Sequence, residues 1–410
     1  LPRSVSKITW GNAAYLSPRT AARLGVQTND ELVLEQDGGG AAAPRQLRVG
    51  VWVLPDQPDD CVTLPLGYGR THAGPAGNGV GFDAYRLRSA AAPWYGSARA
   101  RRSGTRWSPA LTERQLDFNG RDDILRLASL DEFHTHPHFA TSTEEQRVPQ
   151  QTLYPPFPIT GYNWGMTIDL NACIGCNACT IACQSENNIP VVGAEQVRLG
   201  RVMHWIRVDR YYDARPAALD QLDPGTPSPR AAFQPVPCMQ CEHAPCEEVC
   251  PVEATVHDSQ GLNVQVYNRC IGTRFCSNNC PYKVRRFNFL QYANLEVEAL
   301  KALQNPDVTV RRRGVMEKCT YCLQRIERAR ISAELEHRGV RDGEVVTACQ
   351  AACPTQAIRF GNMNDPHSQV QRFKSSPRNY SLLAELNTRP HTTYLAKVRN
   401  AAPASDRPPE

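Results

Sequence analysis

The chain has 410 residues, and its 46 Lys and Arg against 41 Asp and Glu leave a net charge of only +5, a bias too weak for a phosphate-binding surface, so nucleic acid is excluded as the default partner. Length points to two or three domains at roughly 150 residues each, and no apolar run approaches the ~18 residues that a transmembrane helix needs. Arg outnumbers Lys 40 to 6, which suits bidentate ion pairs at protein interfaces better than a diffuse basic surface. The chain opens on Leu1-Pro2-Arg3 with neither an initiator Met nor a signal peptide, and is read as a processed or partial product.

Residues 1–125 carry short β-type runs broken by Gly and Pro (Glu31 to Glu35, Gln46 to Leu54, Cys61 to Leu66), the pattern of a small β-barrel or sandwich. Ser17-Pro18-Arg19-Thr20 before Ala21, Ala22 and Leu24, closed by Gly25, predicts one short capped helix. Residues 126–160 are polar and Pro-punctuated and read as a linker. Residues 161–375 alternate Cys motifs with brief strands, such as Trp205 to Tyr212 and Asn263 to Tyr267, interrupted by a Pro-rich loop at Pro216 to Pro237. They also hold an amphipathic helix over Leu323 to His337, with Ile326, Ala329, Ile331, Ala333 and Leu335 among charges. Residues 376–410 are expected to form an extended tail that builds no core and lies over a partner. The fold class is α+β.

Of 16 cysteines, only Cys61 lies outside Cys173 to Cys353. Four motifs hold the rest: Cys173, Cys176, Cys179 and Cys183; Cys238, Cys241, Cys246 and Cys250; Cys270, Cys276 and Cys280; and Cys319, Cys322, Cys349 and Cys353. Three of them end in Cys-Pro. The run C-x2-C-x2-C-x3-C-P is the bacterial ferredoxin spacing, in which three thiolates converge on one cluster from a tight loop and the fourth reaches to another cluster. Exchanging fourth ligands gives three [4Fe-4S] sites: Cys173, Cys176, Cys179 with Cys353; Cys319, Cys322, Cys349 with Cys183; and Cys238, Cys241, Cys246 with Cys280. Cys250, Cys270 and Cys276 remain as a three-thiolate site. Thr273 stands where a fourth Cys would complete it, and a neutral hydroxyl is a poor ligand beside thiolates. A [3Fe-4S] cluster is the leading reading there, and a [4Fe-4S] cluster with an oxygen or water ligand the alternative. Structural zinc also uses C-x2-C pairs, but as separated pairs rather than quartets, and adjacent C-x2-C thiols seldom form structural disulfides. All sites are closed, so the clusters carry electrons and no catalytic residue is expected.

The remaining candidates have ordinary readings. His134, His136 and His138 alternate on one side of an extended segment, as a metal site would want, yet within a polar loop. Arg101-Arg102 lacks the apolar stretch of an export signal. Arg311-Arg312-Arg313 suits cluster tuning, pairing with a partner, or a solvated turn. Cys61 reads as a small buried hydrophobe. The glycines at 67, 69, 77, 79 and 81 read as tight β turns, not a nucleotide fingerprint.

The four motifs from Cys173 to Cys353 resemble the four-cluster ferredoxin subunit of the complex iron-sulfur molybdoenzyme superfamily. Residues 1 to about 90, with Asn12-Ala-Ala-Tyr-Leu-Ser-Pro-Arg-Thr and Leu64-Pro-Leu-Gly-Tyr-Gly-Arg70, resemble the pterin-cofactor-binding barrel of its catalytic subunit. Barrel and ferredoxin on one chain, with Asn305-Pro-Asp-Val-Thr-Val-Arg and Glu385-Leu-Asn-Thr-Arg-Pro, are similar to the iron-sulfur B subunit of alternative complex III, a bacterial quinol:electron-acceptor oxidoreductase of respiratory or photosynthetic chains. The resemblance implies three [4Fe-4S] clusters, one [3Fe-4S] cluster nearest the membrane, and no molybdenum. It implies a hetero-oligomeric complex, peripheral on the periplasmic face, with a polytopic quinol-oxidising membrane subunit and c-type cytochrome subunits. Gln184 after Cys183, where the motif has Pro, departs from the pattern. The rival readings are the electron-transfer subunit of a molybdoenzyme such as a polysulfide or nitrate reductase, and a zinc-binding scaffold.

Overall fold

The computed structural model describes residues 1–37, 44–90, 93–114, 121, 123–141, 158–212, 230–294 and 296–400. The chain divides into two compact units, one comprising Leu1–Asp117 with Gly193–Gly200 and Arg210–Ala231, the other Phe118–Val192, Arg201–Asp209 and Ala232–Glu410.

In the first unit, strand Ala14–Leu16 runs parallel to Arg45–Val53, which pairs antiparallel with Asp30–Gln36, and this in turn with Arg99–Arg106. Alternation decides the faces: Leu16, Leu32, Leu34, Leu47, Val49 and Val51 pack on one side, while Tyr15, Trp52 and Leu54 join Ile8 on the other. The outer strand Arg-Ala-Arg-Arg-Ser-Gly-Thr-Arg is charged and largely exposed, which blunts a sheet edge that would otherwise recruit another chain; it holds Arg101 and Arg102. Helix Pro18–Arg23 starts as the sequence predicts, with Ser17 Oγ accepting from the Thr20 amide. No closed barrel is found among the described residues, so the barrel expectation is corrected to an open four-stranded sheet. The run Cys61 to Leu66 forms no strand but a single bridge, Thr63 to Tyr15, and Cys61 is exposed rather than buried.

The second unit is mixed α/β. Its four-stranded sheet has the order Ile358–Asn362, Trp164–Asp169, Thr392–Leu395, Asn379–Tyr380. The strand before the first Cys motif therefore lies antiparallel to the strand after the last one, with Met166 opposite Phe360. Trp164 stacks on Phe360 at 5.5 Å and Tyr321 meets the same ring edge-on at 5.1 Å, which fixes the Cys319 loop to the sheet. A smaller hairpin, Thr255–His257 with Asn263–Gln265, separates Cys250 from Cys270.

Several expectations are corrected here. The tail builds core: Thr392–Leu395 is fully buried and pairs in parallel with Trp164–Asp169, because Thr-Thr-Tyr-Leu is a β-rich run that the Pro-rich end obscured; residues 401–410 lie outside the described residues. The stretch read as a linker contains Leu127–Ser129, paired with Lys397–Arg399, and helix Leu130–Thr135. His134 sits on that helix and all three histidines are exposed, so they do not share a strand face. Helix Leu323–Leu335 forms and buries Ile326 and Ala333, two turns apart, while Ile331 and Leu335 are exposed. Most of the Pro216 to Pro237 loop lies outside the described residues, and its end is strand Ala231–Val236.

Candidate metal centres

The two halves of the Cys-rich unit use one local geometry twice. In Cys173-Ile-Gly-Cys176-Asn-Ala-Cys179, Gly175 (φ 68°) and Asn177 (φ 62°) are left-handed, and Asn177 opens helix Ala178–Glu186. In Cys270-Ile-Gly-Thr273-Arg-Phe-Cys276, Gly272 (φ 76°) and Arg274 (φ 62°) repeat the turn, and Arg274 opens helix Phe275–Asn279. Thr273 thus occupies in the second turn the place that Cys176 holds in the first. Glycine is required at both turns: a Cβ on Gly175 would lie 2.4 Å from the Phe233 ring, and one on Gly272 would lie 2.5 Å from the Gly314 carbonyl oxygen. The Cys-Pro ends match as well, since the Ala254 amide donates to Cys250 Sγ and the Ala357 amide to Cys353 Sγ, both at 3.2 Å.

Cysteines far apart in sequence converge in four groups. Cys173, Cys176, Cys179 and Cys353 line one hollow with Pro354. Helix Ala178–Glu186 carries Cys179 and, one turn on, Cys183, which lies within electrostatic reach of Cys319, Cys322 and Cys349. Cys241 has Cys238, Cys246 and Cys280 within electrostatic reach. Cys250, Cys270 and Cys276 line a second hollow with Thr273. The groups also neighbour one another, as Cys349 interacts with Cys179 and Cys319 with Cys238.

The sites are dry. Burial pushes the Cys173 thiol up to about 11, Cys179 and Cys319 up to about 12, and Cys183, Cys241 and Cys349 well above the ordinary thiol value. Alone these thiols stay protonated, so binding iron releases protons and the iron supplies the charge that keeps each thiolate ionised. Donors meet the sulfurs: the Tyr321 and Ala348 amides reach Cys319 and Cys322 at 3.4 Å, the Met316 amide reaches Cys270 at 3.4 Å, and Asn187 Nδ2 lies 3.6 Å from Cys183 Sγ and 3.8 Å from Cys322 Sγ. Among the described residues no three His, Cys, Asp or Glu side chains converge on a point that could hold one metal ion. Groups of three or four sulfurs faced by amide donors suit a polynuclear iron-sulfur cluster.

The sequence missed the residues behind the ligands. Asn187 is held by Arg311, whose Nη2 donates to the Asn187 carbonyl at 2.8 Å. The Arg311 and Glu317 side chains are completely buried and paired at 2.8 Å. Glu317 also accepts from Trp205 Nε1 at 3.0 Å and Asn288 Nδ2 at 2.9 Å, which satisfies a buried charge that would otherwise be costly. Of the three arginines read as a possible tuning cluster, Arg311 alone is buried, and it acts through Asn187. Lys318 is fully buried beside Cys319, donating to its carbonyl at 2.9 Å. Nothing local in the sequence marks these contacts, except that Asn187 follows Cys183 by one helical turn.

Comparison with known proteins agrees with this geometry. Two models, each described as a 4Fe-4S dicluster domain, match residues 172–254 and 229–294. The menaquinone reductase iron-sulfur cluster-binding subunit of Nitratidesulfovibrio vulgaris is 41% identical over 240 residues, covering 57% of this chain and 89% of that one. The Hdr-like menaquinol oxidoreductase iron-sulfur subunit 1 of Archaeoglobus fulgidus is 32% identical over 249 residues, 56% of this chain and 82% of that one. A polysulfide reductase subunit of Wolinella succinogenes is 30% identical over 227 residues, 55% of this chain and 91% of that one. With its dicluster motifs, its four cysteine groups and nearly the whole length of such a subunit matched, the chain belongs to the family of 4Fe-4S dicluster iron-sulfur subunits of oxidoreductases.

Proposed function

We propose that this chain is the electron-carrying subunit of a membrane-bound quinol:acceptor oxidoreductase of the alternative complex III type. It would be peripheral on the periplasmic face, against a polytopic quinol-oxidising subunit, with c-type cytochrome subunits as acceptors. The carrying observation is the convergence of the fifteen cysteines other than Cys61 into four groups, most of them buried or part-buried and supplied with donors to sulfur. Cys173, Cys176, Cys179 and Cys353 would hold one [4Fe-4S] cluster, Cys183, Cys319, Cys322 and Cys349 a second, and Cys238, Cys241, Cys246 and Cys280 a third. Cys250, Cys270 and Cys276 would hold a [3Fe-4S] cluster, with Thr273 at the missing position. Bound clusters supply one-electron carriage; the chain's own part is to exclude water, fix the thiolates and place charge around them. Residues 1–125 would be a pterin-binding-like module without cofactor, and the Cys-rich unit that follows takes in Leu127–Ser129, Leu130–Thr135 and Thr392–Leu395 as well as the ferredoxin motifs. No described helix is long and apolar enough to cross a membrane, which suits a peripheral position. Relatives named as a menaquinone reductase subunit and a menaquinol oxidoreductase subunit support a quinone/quinol couple as a redox partner, and the second supports quinol as the donor.

The second reading, the electron-transfer subunit of a molybdoenzyme, is favoured by relatives named as polysulfide and tetrathionate reductase subunits. Anaerobic addition of a quinol to the purified complex separates the two. The first reading expects loss of the oxidised three-iron EPR signal and a complex without molybdenum. A molybdenum-containing complex that is reoxidised by a sulfur oxyanion or polysulfide supports the second, and clusters that quinol cannot reduce would overturn the first.

A further inference from the structure

Arg285 is 6% exposed, and the hairpin beside it holds its guanidinium by one edge. Its Nη2 donates to Thr255 Oγ1 at 2.8 Å and to Gln265 Oε1. Thr255 and Gln265 are directly opposed across the hairpin, are joined to each other at 3.0 Å, and both line the hollow of Cys250, Cys270 and Cys276. The other two nitrogens have no protein acceptor: Nε and Nη1 are buried and find no hydrogen-bond partner among the described residues. The groups within electrostatic reach of this cation are Cys246, Cys276, Cys238 and Cys280, which belong to two different cysteine groups. A buried guanidinium with no carboxylate partner is costly, and proteins retain such a charge where an anion lies beside it.

Resting on the cluster reading above, we propose that Arg285 is a positioning residue shared by two adjacent centres, the Cys238/Cys241/Cys246/Cys280 site and the Cys250/Cys270/Cys276 site. Its free Nε–H and Nη1–H groups, which point to different sides of the guanidinium, are the donors for their sulfur, and its fixed charge raises both reduction potentials together. The sign follows from charge: each reduction adds one electron to a buried anionic site, and a nearby cation stabilises the reduced state more than the oxidised one. Arginine keeps its proton at every physiological pH, so the contribution is constant where that of a lysine or histidine would vary. The sulfurs of the Cys173 and Cys183 groups are not among its largest electrostatic neighbours, and their potentials are expected to stay in place.

The test is an EPR-monitored redox titration of the whole complex carrying Arg285→Gln. The midpoints of both adjacent centres are expected to fall, each by at least a tenfold change in oxidised-to-reduced ratio at fixed potential, about 59 mV for a one-electron couple. The other two midpoints stay in place, and Arg285→Lys recovers part of the shift. Four loaded clusters with unchanged midpoints, or a shift at one centre alone, would overturn the shared role. Wild-type protein without iron and sulfide would instead overturn the cluster reading. Should the Gln variant fail to load, pulsed EPR of wild-type complex grown with guanidino-15N arginine decides. A 15N coupling that is absent in Arg285→Lys supports the contact, and a coupling that is missing from wild type, or unchanged in Arg285→Lys, refutes it.

Discussion

Replacing Cys349 with serine is expected to remove at least the iron atom that its thiolate holds, leaving at most a three-iron cluster on Cys183, Cys319 and Cys322, and to destabilise the Cys-rich unit by about 4 kcal/mol, the range reached when a metal site is disrupted. Cys349 lies at the start of the short helix Ala348–Ala351, 5% exposed, with Thr347 Oγ1 at 3.2 Å from its sulfur. It faces Cys322 and Cys319 from one loop, and the cysteines of helix Ala178–Glu186 from another. Removing its thiolate leaves three buried sulfurs without a complete ligand set, and the connection between three distant segments goes with it. A serine hydroxyl is too weak a ligand beside thiolates to restore it. Iron analysis and thermal unfolding of the complex check this, with Cys61→Ser as the exposed control that changes neither.

Thr273→Cys is expected to do the reverse at the other end of the series. Because the Gly272 to Arg274 turn repeats the Gly175 to Asn177 turn in its backbone angles, a thiol at 273 has the same backbone setting as Cys176. Four thiolates then surround the hollow of Cys250, Cys270 and Cys276, the iron content rises by about one atom per chain, and the oxidised three-iron EPR signal disappears. An unchanged spectrum at full cluster loading would show that Thr273 is not the missing ligand.

What the sequence revealed and what it hid follow the range of the interactions. Ligand spacing is local chemistry, so Cys173 to Cys183 or Cys238 to Cys250 can be read directly. The exchange of fourth ligands is a long-range contact, but it follows from the spacing rule rather than from unpredictable packing. The capped helix at Ser17-Pro18 and the alternation of Leu32 and Leu34 are local for the same reason. Barrel closure was not legible, since it depends on which strand edges meet, and the described strands form an open sheet. The tail was misjudged because composition was averaged across it. Thr392–Leu395 is a short hydrophobic insert between polar stretches, and its burial depends on the vacant side of Trp164–Asp169. Asn187, Arg285, Lys318 and the Arg311–Glu317 pair were invisible for a different reason. Each is an ordinary polar residue whose role arises only when folding places it beside a sulfur or beside another buried charge.

The chemistry of the four cysteine groups is the central claim, and the most direct measurement is iron and acid-labile sulfide per chain in the purified complex. The account predicts about 15 iron and about 16 sulfide for three four-iron clusters and one three-iron cluster. Zinc bound to these cysteines without sulfide would contradict it.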